Sequence, residues 1–145
     1  MIMKLIALFL LFIIPIQWEP DFENAKKIAK EKHELILLNF SGSDWCGPCI
    51  MMRREYLEND SFTKMAKDHL VLVNADFPRK KKNVGPLLQI KRNEALAEYY
   101  NKRGAFPLTL LLNADGKVLK SWHGKPEMAA EKWVEEIKAI CDANK

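Results

Sequence analysis

Apolar positions in this chain follow two different periods. Leu35-Ile36-Leu37-Leu38-Asn39-Phe40 and Leu70-Val71-Leu72-Val73-Asn74-Ala75 are short, nearly continuous apolar runs. That is the pattern of strands covered on both faces. Thr109 to Leu112 and Val118 to Trp122 read as two more strands, and Asn113-Ala114-Asp115-Gly116 between them suits a hairpin. Elsewhere apolar residues recur at helical spacing. Asp21 caps a predicted helix to about Lys32, with Phe22, Ala25, Ile28 and Ala29 on one face. A second helix opens at Cys46; Pro48 fits its first turn, and Cys49, Met52 and Tyr56 share the inward face. Asn59-Asp60-Ser61 starts a third piece, with Phe62, Met65 and Ala66 inward. A long connection, Phe77 to Arg92, precedes a helix predicted from Asn93 to Lys102. The last helix is predicted from Glu127 to Asp142, with the stripe Ala130, Trp133, Val134, Ile137, Ile140 and Cys141.

Helices join the first two strands, which should therefore be parallel, whereas the hairpin pair is antiparallel. The expected architecture is α/β: a mixed central sheet of about four strands flanked by helices. The N-terminus breaks this pattern. Lys4 precedes twelve uncharged, almost wholly apolar residues, Leu5 to Ile16. As a helix they would span roughly 18 Å, short of the ~30 Å hydrocarbon core. A basic start before a short apolar run is a signal-peptide pattern. Pro15-Ile16-Gln17-Trp18 offers no small-x-small cleavage site, so an uncleaved anchor is the main variant. The expected division is 1–17 as signal peptide or anchor and 18–145 as one domain, exported to the periplasm or a similar compartment.

Composition changes little. The 145 residues are 48% apolar and 29% charged, an ordinary globular balance. Net charge is +4, of which Lys4 supplies one, leaving +3 from Trp18 onward. That excess does not suggest nucleic acid as a partner. Three cysteines are too few for a disulfide-stapled scaffold.

The chemistry concentrates at Trp45-Cys46-Gly47-Pro48-Cys49, between the first strand and the second helix. A helix N-terminus offers unpaired N–H groups and a positive dipole end to the first sulfur, which favours thiolate. Cys49 lies close enough in sequence to attack a mixed disulfide at Cys46. The competing readings are a structural disulfide or half a zinc site. Zinc needs four ligands, and Cys141 with three scattered histidines provides no ligand spacing, so no metal is expected. Cys141, within the last helical stripe, reads as a buried inert thiol. Arg79 to Lys82 reads as a solvated loop, with a docking patch for acidic partners as the alternative.

These elements, with Trp-Cys-Gly-Pro-Cys at the first strand-to-helix junction and Phe106-Pro107 before the third strand, resemble the thioredoxin superfamily over roughly residues 21–143. Ser43-Asp44-Trp45-Cys46 and Asp76-Phe77-Pro78 look closest to its exported bacterial disulfide reductases and isomerases. The resemblance implies a thioredoxin-like fold with Cys46 and Cys49 catalytic. It also implies a cis Pro107 facing them, and Trp45, Gly47, Pro48 and Phe106 contacting substrate. It implies disulfide-containing protein substrates and a monomer without cofactor. A protein electron donor, membrane-bound in one version, would re-reduce it. Reductase is the first expectation, isomerase the second, oxidant the third; a non-catalytic binding module and a thiol peroxidase are the rivals. Two departures stand out. Asn39 occupies a position where thioredoxins usually carry a buried Asp, and Leu72 aligns with a frequent Lys. Asn cannot take a proton, which leaves water, Asp44 or Glu55 as candidates for Cys49.

Overall fold

The computed structural model describes residues 15–145. Most of the expected leader, residues 1–14, lies outside them. Among the described residues, no helix is long and apolar enough to cross a membrane. The chain runs α1 (Phe22–Lys32), β1 (Leu35–Ser41), α2 (Gly47–Met52), a π-helical turn (Arg53–Leu57), α3 (Asp60–His69) and β2 (Leu70–Asp76). A 3₁₀ turn (Lys81–Asn83), α4 (Leu87–Tyr100), β3 (Leu108–Leu112), β4 (Val118–His123) and α5 (Ala130–Ala143) complete it.

The four strands lie in the order β2-β1-β3-β4. β1 pairs parallel with β2 and antiparallel with β3, which forms the expected hairpin with β4. As the central strand, β1 is buried at every residue, which explains its unbroken apolar run. Its alternate side chains feed two cores. Leu35 and Leu37 join α3, the π turn and α5 on one face, around a fully buried Trp133. That indole stacks on Phe62 and meets Tyr56 and Trp122 edge-on, with centroids 5.5–5.7 Å away. Ile36, Leu38 and Phe40 pack on the other face with Ala25 and Ala29 of α1 and Leu96 of α4.

Helix ends follow their caps. Asp21 accepts from Glu23 N at 2.9 Å and Asn24 N at 3.4 Å, and His33 closes α1 in the left-handed region (φ 55°). Before α1, Glu19 N donates to Leu72 O at 2.7 Å and Trp18 bridges to Leu72, so this stretch runs along the outer edge of β2.

Three boundaries differ from expectation. α4 begins at Leu87, not Asn93, because Pro86 sets its N-cap in extended backbone. Its first turn presents Leu87 and Leu88 to solvent, which hid the helical period. α5 begins at Ala130, three residues later than expected, because Ala129 caps it in extended backbone and Met128 O is tied to Tyr56 of the π turn. The helix that opens after Cys46 widens into the π turn at Arg53.

Candidate active site

β1 delivers the chain to a turn at 42–45, and Cys46 becomes the N-cap of α2 (φ −94°, ψ 102°). Its Sγ accepts the Cys49 N–H at 3.3 Å. Pro48 sits in the first turn, where a missing N–H is harmless. Cys46 and Cys49 form a disulfide with Cα atoms 5.2 Å apart. Both are buried, at 5% and 3% exposure, beneath an exposed Gly47-Pro48. Once the bond is reduced, the same N–H and the helix dipole stabilise negative charge on Cys46 Sγ.

Trp45 is fixed from several sides. Its Nε1 donates to Phe77 O at 2.7 Å, its ring meets Phe106 edge-on at 5.4 Å, and the Arg79 guanidinium lies 3.8 Å from the ring centroid. A Cβ at Gly42 would collide with the indole, so only glycine fits there. Phe77 also meets Phe106, at 5.6 Å, closing an aromatic cluster beside the disulfide.

The Phe106–Pro107 peptide is cis, as expected. Pro107 O accepts from Gly124 N at 2.8 Å, whereas neither backbone group of Phe106 has a partner among the described residues. The segment after β4 runs from Pro107 to the π turn. Lys125 pairs with Glu55 at 2.8 Å, and Tyr56 Oη lies 3.0 Å from Pro126 O and 2.6 Å from Met128 O. Sequence reading did not single out this segment or Tyr56's polar role.

A polar trio spans β2, β1 and β3. Asn39 Nδ2 donates to Asn74 Oδ1 at 2.9 Å, and Thr109 Oγ1 donates to Asn39 Oδ1 at 3.0 Å. The parallel register sets Asn74 beside Asn39, with Leu72 opposite Leu37, so Asn74 rather than Leu72 is the cross-strand neighbour. Asn39 and Asn74 also line a cavity of about 770 Å³ shared with Ser43, Arg53 and Asp76.

The two carboxylates considered for Cys49 are both engaged elsewhere. Asp44 accepts from Arg79 N, Lys80 N and Asn83 Nδ2, each at 2.9 Å. The Arg79 N–H and the Asn83 amide hold its carboxyl down at about 2. Glu55 is the partner of Lys125. Cys141 is buried in α5 as a free thiol, which burial pushes up to about 11. Among the described residues, no group of His, Cys, Asp and Glu is placed to hold a metal ion.

The thioredoxin-like family model matches residues 17–114, from the stretch beside β2 through β3. This chain belongs to the thioredoxin-like family. It is 36% identical over 124 residues to the disulfide bond reductase DsbH of Chlamydia pneumoniae, covering 86% of this chain and 72% of that protein. A second relative from that organism, the thioredoxin-related protein DsbJ, is 34% identical over 98 residues, but these make up only 27% of its length. Among solved structures, a DsbH oxidoreductase superposes with a TM-score of 0.79 at 33% identity, covering 89% of this chain and 86% of that one. A thioredoxin from Thermus thermophilus shares the fold alone, with a TM-score of 0.64 at 13% identity. Fold, relatives and the Cys46–Cys49 pair together make this chain a thiol–disulfide oxidoreductase.

Proposed function

We propose that the chain is a disulfide reductase in which Cys46 is the nucleophile and Cys49 the resolving thiol. The observation that carries this is the position of Cys46 Sγ, at the N-cap of α2 and hydrogen-bonded by an amide N–H. Cys46 thiolate attacks one sulfur of a protein disulfide, a mixed disulfide forms, and the other substrate sulfur leaves as thiolate. Cys49, losing its proton, then attacks Cys46 Sγ and releases the second substrate thiolate. Two electrons pass to the substrate, and the 46–49 disulfide remains. A protein dithiol donor returns the electrons.

Trp45, Gly47, Pro48, Phe106 and Pro107 form the substrate groove. The unpaired backbone of Phe106 offers one donor and one acceptor to an extended substrate strand. Reduction is the preferred direction because the relative matched over most of its length is named a disulfide bond reductase. Lys4 and the apolar run Leu5–Ile16 support export of a monomeric 18–145 domain to the periplasm, with 1–17 as leader or anchor and a membrane electron-transfer protein as donor.

Insulin reduction by dithiothreitol, followed as turbidity, tests the activity: wild type accelerates it and Cys46→Ser does not. Equal rates would overturn the catalytic reading. Equilibration with glutathione tests the direction. A 46–49 potential near about −270 mV fits a reductase, and one above about −180 mV overturns it.

A further inference from the structure

We propose that the basic loop 79–82 is a docking rim that selects partners carrying an acidic segment beside the disulfide. This rests on the disulfide-exchange reading above and adds a charge preference that the reading does not contain.

Arg79-Lys80-Lys81-Lys82 is far from the cysteines in sequence, yet the fold seats it on the turn that presents them. Asp44, two residues before Cys46, grips the loop through Arg79 N, Lys80 N and Asn83 Nδ2. Phe77 O, at the loop's start, takes the Trp45 Nε1 proton. The Arg79 guanidinium rests over the Trp45 ring at 3.8 Å. The loop is thus fixed at both ends to the residues flanking the nucleophile.

Among the described residues none of its charge is spent in an ion pair, although Arg79 lies over Trp45 and Lys80 acts on Asp44 through space. All four cationic residues are exposed. Asp44 meets backbone and amide N–H groups, so its own charge is consumed in holding the loop. Lysines on a merely solvated loop need no such anchoring. The unpaired Phe106 backbone lies across the aromatic cluster from Arg79, through Trp45 and Phe77. An extended strand paired there would run past the rim, where carboxylates three or four residues from its cysteine meet the lysines. Charges fixed beside a reacting centre raise encounter rates for the opposite sign and lower them for the same sign, with strong salt dependence.

The test uses three disulfide-linked peptides of one sequence whose flanks are Glu-rich, Ser-rich or Lys-rich. Their reduction by the pre-reduced full chain is followed by stopped-flow Trp fluorescence. At low salt the Glu-rich peptide should react on the order of tenfold faster than the Lys-rich one, and 0.5 M NaCl should erase most of the difference. The triple variant Lys80→Glu, Lys81→Glu, Lys82→Glu should invert the order. Its rate with the small neutral hydroxyethyl disulfide should match wild type, which shows that fold and cysteines are intact. Equal rates for the three peptides, or a preference that survives the charge reversal, overturn the rim. No reaction of wild type with hydroxyethyl disulfide would overturn the oxidoreductase reading instead. Co-sedimentation with phosphatidylglycerol vesicles that blocks peptide reduction would assign the loop to a membrane surface and overturn it as well.

Discussion

Replacing Asn39 with alanine separates two roles that this position could have, structural and protonic. Asn39 is 4% exposed and Thr109 fully buried, so the Thr109 hydroxyl loses its protein acceptor. An orphaned buried group of this kind costs about 1–3 kcal/mol. Asn74 loses its donor too, but it borders the cavity of about 770 Å³, which is roomy enough for water to substitute. That second loss is about 0.5–1.5 kcal/mol. The total is about 1.5–4.5 kcal/mol. With a urea slope of about 2 kcal/mol/M, the unfolding midpoint should fall by about 1–2 M at an unchanged slope. Combining it with Thr109→Val should reveal a coupling of at least about 0.5 kcal/mol. The pH–rate profile of insulin reduction should keep its shape, since neither side chain titrates. Asn39→Asp, in contrast, should add an inflection. Burial raises a carboxyl there above its unfolded value of about 3.9. Its full stability is then present below about pH 3.9 and is lost as pH rises through the raised value. A midpoint shift under about 0.3 M for Asn39→Ala would refute the hydrogen-bond argument. Loss of an existing inflection from the pH–rate profile would refute the protonic one.

Three further outcomes follow from the geometry. The Arg79 N–H and the Asn83 amide hold the Asp44 carboxyl at about 2, below its ordinary 3.8, so its stabilisation is present above pH 4 and lost as pH falls through 2. Asp44→Asn should therefore flatten the acid limb of the near-UV circular dichroism titration. Cys141, raised to about 11 from 9.0, stabilises the fold fully below pH 9 and less as pH rises to 11. Iodoacetamide at pH 8 should accordingly label Cys46 in the reduced native protein and leave Cys141 untouched, as mass spectrometry would show. Tyr56→Phe removes the hydroxyl that reaches Pro126 O and Met128 O, costing about 1–2 kcal/mol and speeding amide exchange across 124–128.

Fold legibility varied with how residues signal burial. β1 and β2 stood out because strands covered on both faces need an unbroken apolar run, and α5 because its stripe faces a core centred on Trp133. The first turn of α4 was hidden by two exposed leucines behind Gly85-Pro86, a pair that also occurs in loops. The π turn has no residue signature, since its extra residue only shifts the phase of an otherwise helical pattern. At the site, the Cys46–Cys49 pair and its helix were readable from spacing, whereas the cis Pro107 came only from family resemblance. Asn74 was missed because partnering with Asn39 depends on strand register, which a seven-residue apolar run does not reveal. The Asp44 contacts, spanning 35 to 39 residues, likewise belong to tertiary structure alone.

The segment 124–128 links the Pro107 wall of the proposed groove to the π turn that follows α2, meeting Pro107 through Gly124 and the turn through Glu55 and Tyr56. It behaves as a crossbar. Positions 56 and 107 cannot move apart independently while it holds, so the Pro107 wall of the proposed groove is set against the helical layer before any substrate arrives. An incoming strand then gives up its own freedom but none of the protein's. Selectivity accordingly shifts toward the substrate: disulfides in segments already extended, or easily unravelled, are favoured over those locked in helices or tight loops.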